Sequence, residues 1–216
     1  MKRISIYILL IGSFFLLQRC NNTPNSTSSY LNKYYGTQLK LPSKASWRFL
    51  DKDTIIELKN KPKLITYYNA EGCFSCRMKE LQSWKILIEE IRDKSLEVDF
   101  IAIFKVDKEN EDFIANLLRN EFIYPLLCDN IGEFENENSI PENSLYHTFL
   151  VDTSNTIKII GTPIYNPKLW NIYKKEITKM TPKNKDISRS PKITDSPFLK
   201  RIKKSHREAS QYPSVR

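Results

Sequence analysis

The alternation of apolar and polar positions divides the chain into recognisable elements. Residues 63–69 read Lys-Leu-Ile-Thr-Tyr-Tyr-Asn, a β-branched and aromatic run that predicts a strand. Met78, Leu81, Trp84, Leu87, Ile88 and Ile91 then recur at three- and four-residue steps, which predicts an amphipathic helix ending near Arg92. Residues 98–104 are continuously apolar after Asp99, as in a strand buried on both faces. Phe113, Ile114, Leu117 and Leu118 set a second helix over 110–120, and residues 124–128 make a short strand ending at Cys128. Residues 147–152 and 156–160 predict two strands joined tightly by Thr153, Ser154 and Asn155, hence an antiparallel hairpin. Gly161, Thr162 and Pro163 end it. Asn166 as N-cap and Pro167 at the first helical position start a last helix, with Leu169, Trp170, Tyr173 and Ile177 inward. Residues 40–62 are mixed and read as one or two short strands or turns. The order is strand, helix, strand, helix, strand, strand, helix, without internal repeat, which implies an α/β fold.

Composition narrows the class. With 40% hydrophobic and 12% aromatic residues in 216, there is enough apolar surface for a packed core, so wholesale disorder is excluded. Four cysteines are too few for a disulfide-dense miniprotein. The net charge of +9 is uneven, because residues 181–216 hold ten Lys and Arg against three Asp and Glu. The rest of the chain is close to neutral, so a basic face for nucleic acid is not indicated.

The two ends differ from the middle. Lys2 and Arg3 precede an apolar run over residues 4–17, too short for a bilayer-spanning helix of about 20 residues and suited to a secretory signal. Leu17-Gln18-Arg19-Cys20 follows, then the polar stretch 21–29. A cysteine directly after the apolar core resembles a bacterial lipoprotein signal, although Arg19 stands where that class usually has a small residue. The resemblance implies that Cys20 is the lipidated first mature residue. The alternative is an ordinary signal or an uncleaved anchor. The organisation expected is a signal at 1–19, a flexible tether at 20–38, a domain at 39–180 and a basic, disordered tail at 181–216. Within the tail, residues 198–204 read either as a segment that touches anionic lipid or a partner, or as a solvated extension.

Cys73-Phe74-Ser75-Cys76 carries the chemistry, where a strand gives way to a helix. Unpaired N–H groups and the dipole at a helix start favour the thiolate of the first cysteine and lower its pKa below about 8.5. The second cysteine, about one turn on, is placed to attack a mixed disulfide formed on the first. Zinc half-site, structural disulfide and inert cysteines are the other readings. Zinc usually takes four ligands, and there is no second cysteine pair; the histidines are His147 and His206.

Strand, CxxC at the start of a long helix, buried strand, helix, then hairpin and helix resembles the thioredoxin fold over about residues 39–180. Cys73-Phe74-Ser75-Cys76-Arg77 is similar to the CxxCR of the membrane-tethered TlpA/ResA-type oxidoreductases. Thr148-Phe149-Leu150-Val151-Asp152 resembles their TFLID strand. Gly72 stands where they have Trp, and Tyr146 and His147 stand where they have a cis-proline; the nearest upstream proline is Pro141. The resemblance implies a central mixed sheet flanked by helices. It also implies a thiol-disulfide oxidoreductase on the periplasmic side of a bacterial cell envelope, anchored to the membrane by lipid. Cys73 and Cys76 would be its catalytic residues and redox-active disulfide. Its partners would be protein thiols or disulfides as substrate and an upstream dithiol electron donor. No cofactor, metal or nucleic acid is expected. No cation lies between the cysteines, so a strongly oxidising potential is not favoured and the reducing direction is.

His147 and Tyr146 are candidates for tuning or shielding the dithiol. The alternative is that they pack at a loop end. Cys128 reads as a small core hydrophobe, with a third redox thiol as the alternative. Glu71 would raise the Cys73 pKa if held close, but is expected to point into solvent. A non-catalytic thioredoxin-like scaffolding lipoprotein is the competing function. A peroxiredoxin is weaker, because its Pro/Thr-containing cysteine loop is missing.

Overall fold

The computed structural model describes residues 31–69, 74–107 and 110–181, without the side chains of 74–76 and 78. Seven strands form one mixed sheet in the order β2-β1-β5-β4-β3-β6-β7. They are β1 Ser46–Phe49, β2 Lys52–Asp53, β3 Lys63–Tyr68, β4 Asp99–Phe104, β5 Leu126–Cys128, β6 Thr148–Val151 and β7 Ile157–Ile160. The helices are α1 Phe74–Asp93, α2 Glu111–Arg119, α3 Glu133–Asn138 and α4 Pro167–Met180.

The central strands are parallel because helices connect them: α1 carries the chain from β3 to β4 and α2 from β4 to β5. β6 runs antiparallel to β3, and β7 antiparallel to β6. Tyr68 lies opposite Phe104, and Phe104 opposite Cys128, so β3, β4 and β5 finish along one end of the sheet. β6 starts at that same end, with Thr148 opposite Thr66. The hydroxyls of Thr66 and Thr148 meet there at 3.3 Å in the buried interior.

Residues alternate between two cores, as the pleat requires. Leu64 and Tyr68 of β3 join Ala102 and Phe104 of β4 beneath α1, α2 and α4, where Leu81, Trp84, Phe113, Leu117, Tyr173 and Ile177 are all buried. Ile65 and Tyr67 face the other way and pack with Ile101, Ile103, Phe149 and Phe134 of α3. The expected hairpin forms: the Asp152 carboxylate accepts from the N–H groups of Ser154 and Thr156, each at 2.9 Å, and Asn155 takes the left-handed conformation (φ 61°). The expected start of α4 also forms, with Asn166 Oδ1 accepting from Leu169 N–H and Pro167 at the helix start. Asn110 caps α2 in the same way.

Two features go beyond the sequence pattern. The mixed segment before Lys63 does more than precede the sheet, since β1 pairs with β5 and widens it. A short helix, α3, lies within the connection from β5 to β6 and closes the second face with Phe134. The carboxylate of buried Asp129 holds its start by accepting from the N–H groups of Glu133 and Phe134.

Candidate redox site

β3 ends at Tyr68 and α1 begins at Phe74, so the strand and the helix expected on either side of the motif both form. Cys73 lies outside the described residues. Cys76 is in the first turn of α1, its side chain likewise outside them. That turn contains no acidic residue, so no carboxylate within it offsets the positive end of the helix dipole. Cys20, Glu71 and the basic tail also lie outside the described residues.

The last two residues of β3 point to opposite faces and organise separate polar clusters. On the α1 side the Tyr68 hydroxyl accepts a 2.8 Å hydrogen bond from Trp84 Nε1, and its ring stacks on Phe104 at 4.6 Å. Burial and the nearby Glu80 carboxylate push the Tyr68 phenol well above its usual range. Glu80 stands one turn after Cys76. Burial raises the Glu80 carboxyl above the ordinary carboxylate range, against the opposing pull of Arg77 and of a hydrogen bond from Tyr68. Arg77 reaches Glu80 at 3.7 Å. Sequence reading missed Glu80, because an acidic residue at a polar helix position looks like part of a solvated face.

On the other face, the Tyr67 hydroxyl donates to Glu135 Oε2 at 3.0 Å, and Lys105 Nζ reaches the same oxygen at 2.8 Å. The Lys105 ammonium leads in holding Glu135 below the usual carboxylate range. Glu135 is therefore a poor proton store, whereas the Glu80 carboxyl, raised by burial, holds a proton more readily than an ordinary carboxylate.

His147 immediately precedes β6 and is 4% exposed. Its carbonyl accepts from Tyr67 N–H at 2.9 Å. Its Nε2 lies 2.6 Å from the Pro141 carbonyl, which assigns the proton to Nε2. Burial pushes the imidazole below its usual range, against the Pro141 hydrogen bond, and the Arg77 guanidinium pushes it the same way. Thus the structure brings His147 beside the end of β3. Tyr146 ends a one-turn 3-10 helix, Ser144–Tyr146, and packs half-buried against the second core. No peptide bond among the described residues is cis, so Tyr146-His147 enters β6 through a trans bond. Cys128 is 2% exposed and lies in the first core, as expected of a small hydrophobe.

A pocket of about 260 Å³ opens beside the start of α1, lined by Tyr68, Asn69, Arg77, Phe104, Lys105, Val106, Asn110 and Asp112. Among the described residues, no cluster of three or more His, Cys, Asp or Glu side chains is arranged to hold a metal ion. No helix among them is long and apolar enough to cross a membrane.

The sequence matches no family profile and no curated protein. The path of the chain is similar to that of several solved structures. One is a candidate protein disulfide isomerase from Bacteroides thetaiotaomicron, with a TM-score of 0.49, 18% identity, and coverage of 68% of this chain and 89% of that one. Another is the thioredoxin domain of a thiol-disulfide oxidoreductase from Bacteroides vulgatus, with a TM-score of 0.42, 20% identity, and coverage of 55% and 81%. A third is a peroxidoxin from Mycobacterium tuberculosis, with a TM-score of 0.41, 17% identity, and coverage of 55% and 79%. The fold itself stands on the strand order. The parallel pair β4-β3 continues into the antiparallel β6-β7 hairpin, with a long helix after β3 and a last helix after β7. That arrangement is the thioredoxin-like α/β fold.

Proposed function

We propose that this protein is a TlpA/ResA-type thiol-disulfide oxidoreductase that works in the reducing direction on protein disulfides. The observation that carries the reading is the position of the motif in the chain: β3 ends at Tyr68, α1 begins at Phe74, and in sequence Cys73 directly precedes α1 while Cys76 is within its first turn. A thiolate on Cys73 benefits from the helix dipole. It attacks one sulfur of the substrate disulfide, forming a Cys73–substrate bond and releasing the other substrate sulfur as a thiolate. Cys76 gives its proton to Glu80, and the resulting thiolate attacks the Cys73 sulfur. The second substrate thiolate leaves, and Cys73 and Cys76 remain as a disulfide. Two electrons have passed to the substrate, whose sulfurs take up two protons. A separate dithiol protein returns the pair to the reduced state. Our proposal puts this chemistry at the membrane surface of the cell envelope, tethered through a diacylglycerol on Cys20, and what supports it is the lipoprotein-like pattern of residues 2–20.

The test is reduction of insulin by the purified chain with dithiothreitol as donor. Acceleration that Cys73→Ser abolishes is the expected result. A wild-type chain no faster than dithiothreitol alone contradicts the reading. Mass spectrometry of the membrane-extracted protein tests the anchor: the expected first residue is lipidated Cys20.

A further inference from the structure

The outer side of α4 carries a stripe that the redox chemistry does not use. Lys168, Ile172, Lys175 and Lys179 recur at steps of four, three and four residues, so they share one side of the helix, away from buried Trp170, Tyr173 and Ile177. Ile172 is 54% exposed in the middle of this stripe. Among the described residues neither Lys168 nor Lys175 has an acidic partner, and Glu176 is matched by Lys179 at 3.3 Å.

Leu169, one turn before Ile172, continues the stripe onto the edge of the sheet. It lines a groove of about 400 Å³ with Leu31, Tyr35 and the edge-strand residues Lys158, Ile159 and Ile160 of β7. Leu31 is 40% exposed and Tyr35 65%. Lys158 is paired with Asp152 at 3.0 Å, so the surplus positive charge is that of Lys168 and Lys175. Single exposed apolar side chains are ordinary, but a run of them bordered by unmatched lysines marks an interaction surface. Anionic phospholipid suits it: headgroups take the ammonium groups while the apolar side chains enter between them. The chain itself leads there. Ten residues, 21–30, separate Cys20 from Leu31 in the groove. A lipid on Cys20 therefore keeps this face within about 40 Å of the bilayer.

We infer that the outer face of α4 and the neighbouring β7 edge form a docking surface for an anionic bilayer. The inference rests on the membrane placement proposed above and adds an orientation to it. Ser83 meets Tyr165 at 2.9 Å and Glu90 meets Lys174 at 2.8 Å, so α1 and α4 run side by side in the same direction. With α4 laid on the bilayer, α1 is parallel to the surface and its start opens sideways, within reach of partners at the membrane.

The experiment uses the membrane-extracted chain bound to vesicles of phosphatidylcholine alone or of equal parts phosphatidylcholine and phosphatidylglycerol. A membrane-impermeant acetylating reagent labels the lysines, and mass spectrometry reads each one. Lys168 and Lys175 are expected to react about tenfold more slowly on the anionic vesicles. Lys52 of β2, at the opposite edge of the sheet, serves as reference and stays within about twofold. Sodium chloride at about 1 M restores the labelling. Ile172→Glu, at an exposed position that leaves the core intact, abolishes the protection and keeps insulin reduction within about twofold. Equal labelling of Lys168 and Lys175 on both kinds of vesicle overturns the inference. Protection that follows the density of chains on the vesicle rather than lipid charge assigns the face to a second copy and also overturns it. The same spectra report the lipid on Cys20. A chain without diacylglycerol that still shows the charge-dependent protection defeats the anchor and leaves the docking face standing; a lipidated chain without protection does the reverse.

Discussion

The main-chain N–H of Tyr67 donates to the carbonyl of His147 at 2.9 Å, so the chain entering β6 is fastened to the end of β3. His147 is itself tied back to Pro141 through Nε2, and its ring lies 5.5 Å from that of Tyr67. The residue next to the strand that leads into the motif is thus a histidine held neutral by burial.

This arrangement has a pH signature. The folded imidazole titrates below its unfolded value of about 6.5, so the unfolded chain binds the extra proton first as pH falls. The stabilisation is complete above about pH 6.5 and is lost as pH drops through the lower folded value. His147→Gln is expected to remove this dependence. Urea unfolding of both chains at pH 7.5 and pH 5 measures the difference, and an equal loss of stability in both would place the titration elsewhere.

Glu90 links α1 to α4. It meets Lys94 at 2.5 Å, Lys174 at 2.8 Å and Trp170 Nε1 at 2.6 Å. Hydrogen bonds from Lys174 and Lys94 lead in lowering its carboxyl to about 2. The linked stability is present above the unfolded value of about 4.3 and disappears as pH falls towards 2. Because the group is partly solvated, Glu90→Gln is expected to cost roughly 1–2 kcal/mol at pH 7 and little at pH 2.5. Thermal unfolding at the two pH values provides the check.

Glu80 is expected to set the pH dependence of the second exchange step. With its carboxyl raised by burial, the rate should rise with pH through an ionisation above the ordinary carboxylate range. Glu80→Gln removes that limb and slows the step by about tenfold to a hundredfold. Stopped-flow decay of a Cys73 mixed disulfide across pH measures it; an unchanged profile assigns proton transfer to another group.

Cys128 is expected to act as core filler. Cys128→Ala should cost about 1 kcal/mol of stability through the small void left under α2. Insulin reduction should stay within about twofold. Loss of most activity with folding intact would make it a third redox thiol.

Much of the fold was legible because its signals are local. The step from Tyr68 to Phe74, the Asn166-Pro167 helix start and the Asp152–Thr156 turn each depend on a few neighbouring residues. The short helix α3 was not legible: Glu133–Asn138 has one buried apolar residue, Phe134, too few to show a period. The pairing of β1 with β5 joins residues some eighty positions apart, which no local pattern encodes. In the site, the cysteine pair is visible as a motif. Glu80 and the Tyr67–His147 contact matter only through burial and tertiary proximity, so their side chains look ordinary in the sequence.

The central claim is that Cys73 attacks the substrate and Cys76 resolves the intermediate. Trapping in cells that carry Cys76→Ser or Cys73→Ser tests it most directly, using acid quench, non-reducing gels and identification of the bands. The account predicts mixed disulfides between Cys73 and envelope proteins in Cys76→Ser, released by reductant, and none in Cys73→Ser. Equal trapping by both variants, or none by either, would contradict it.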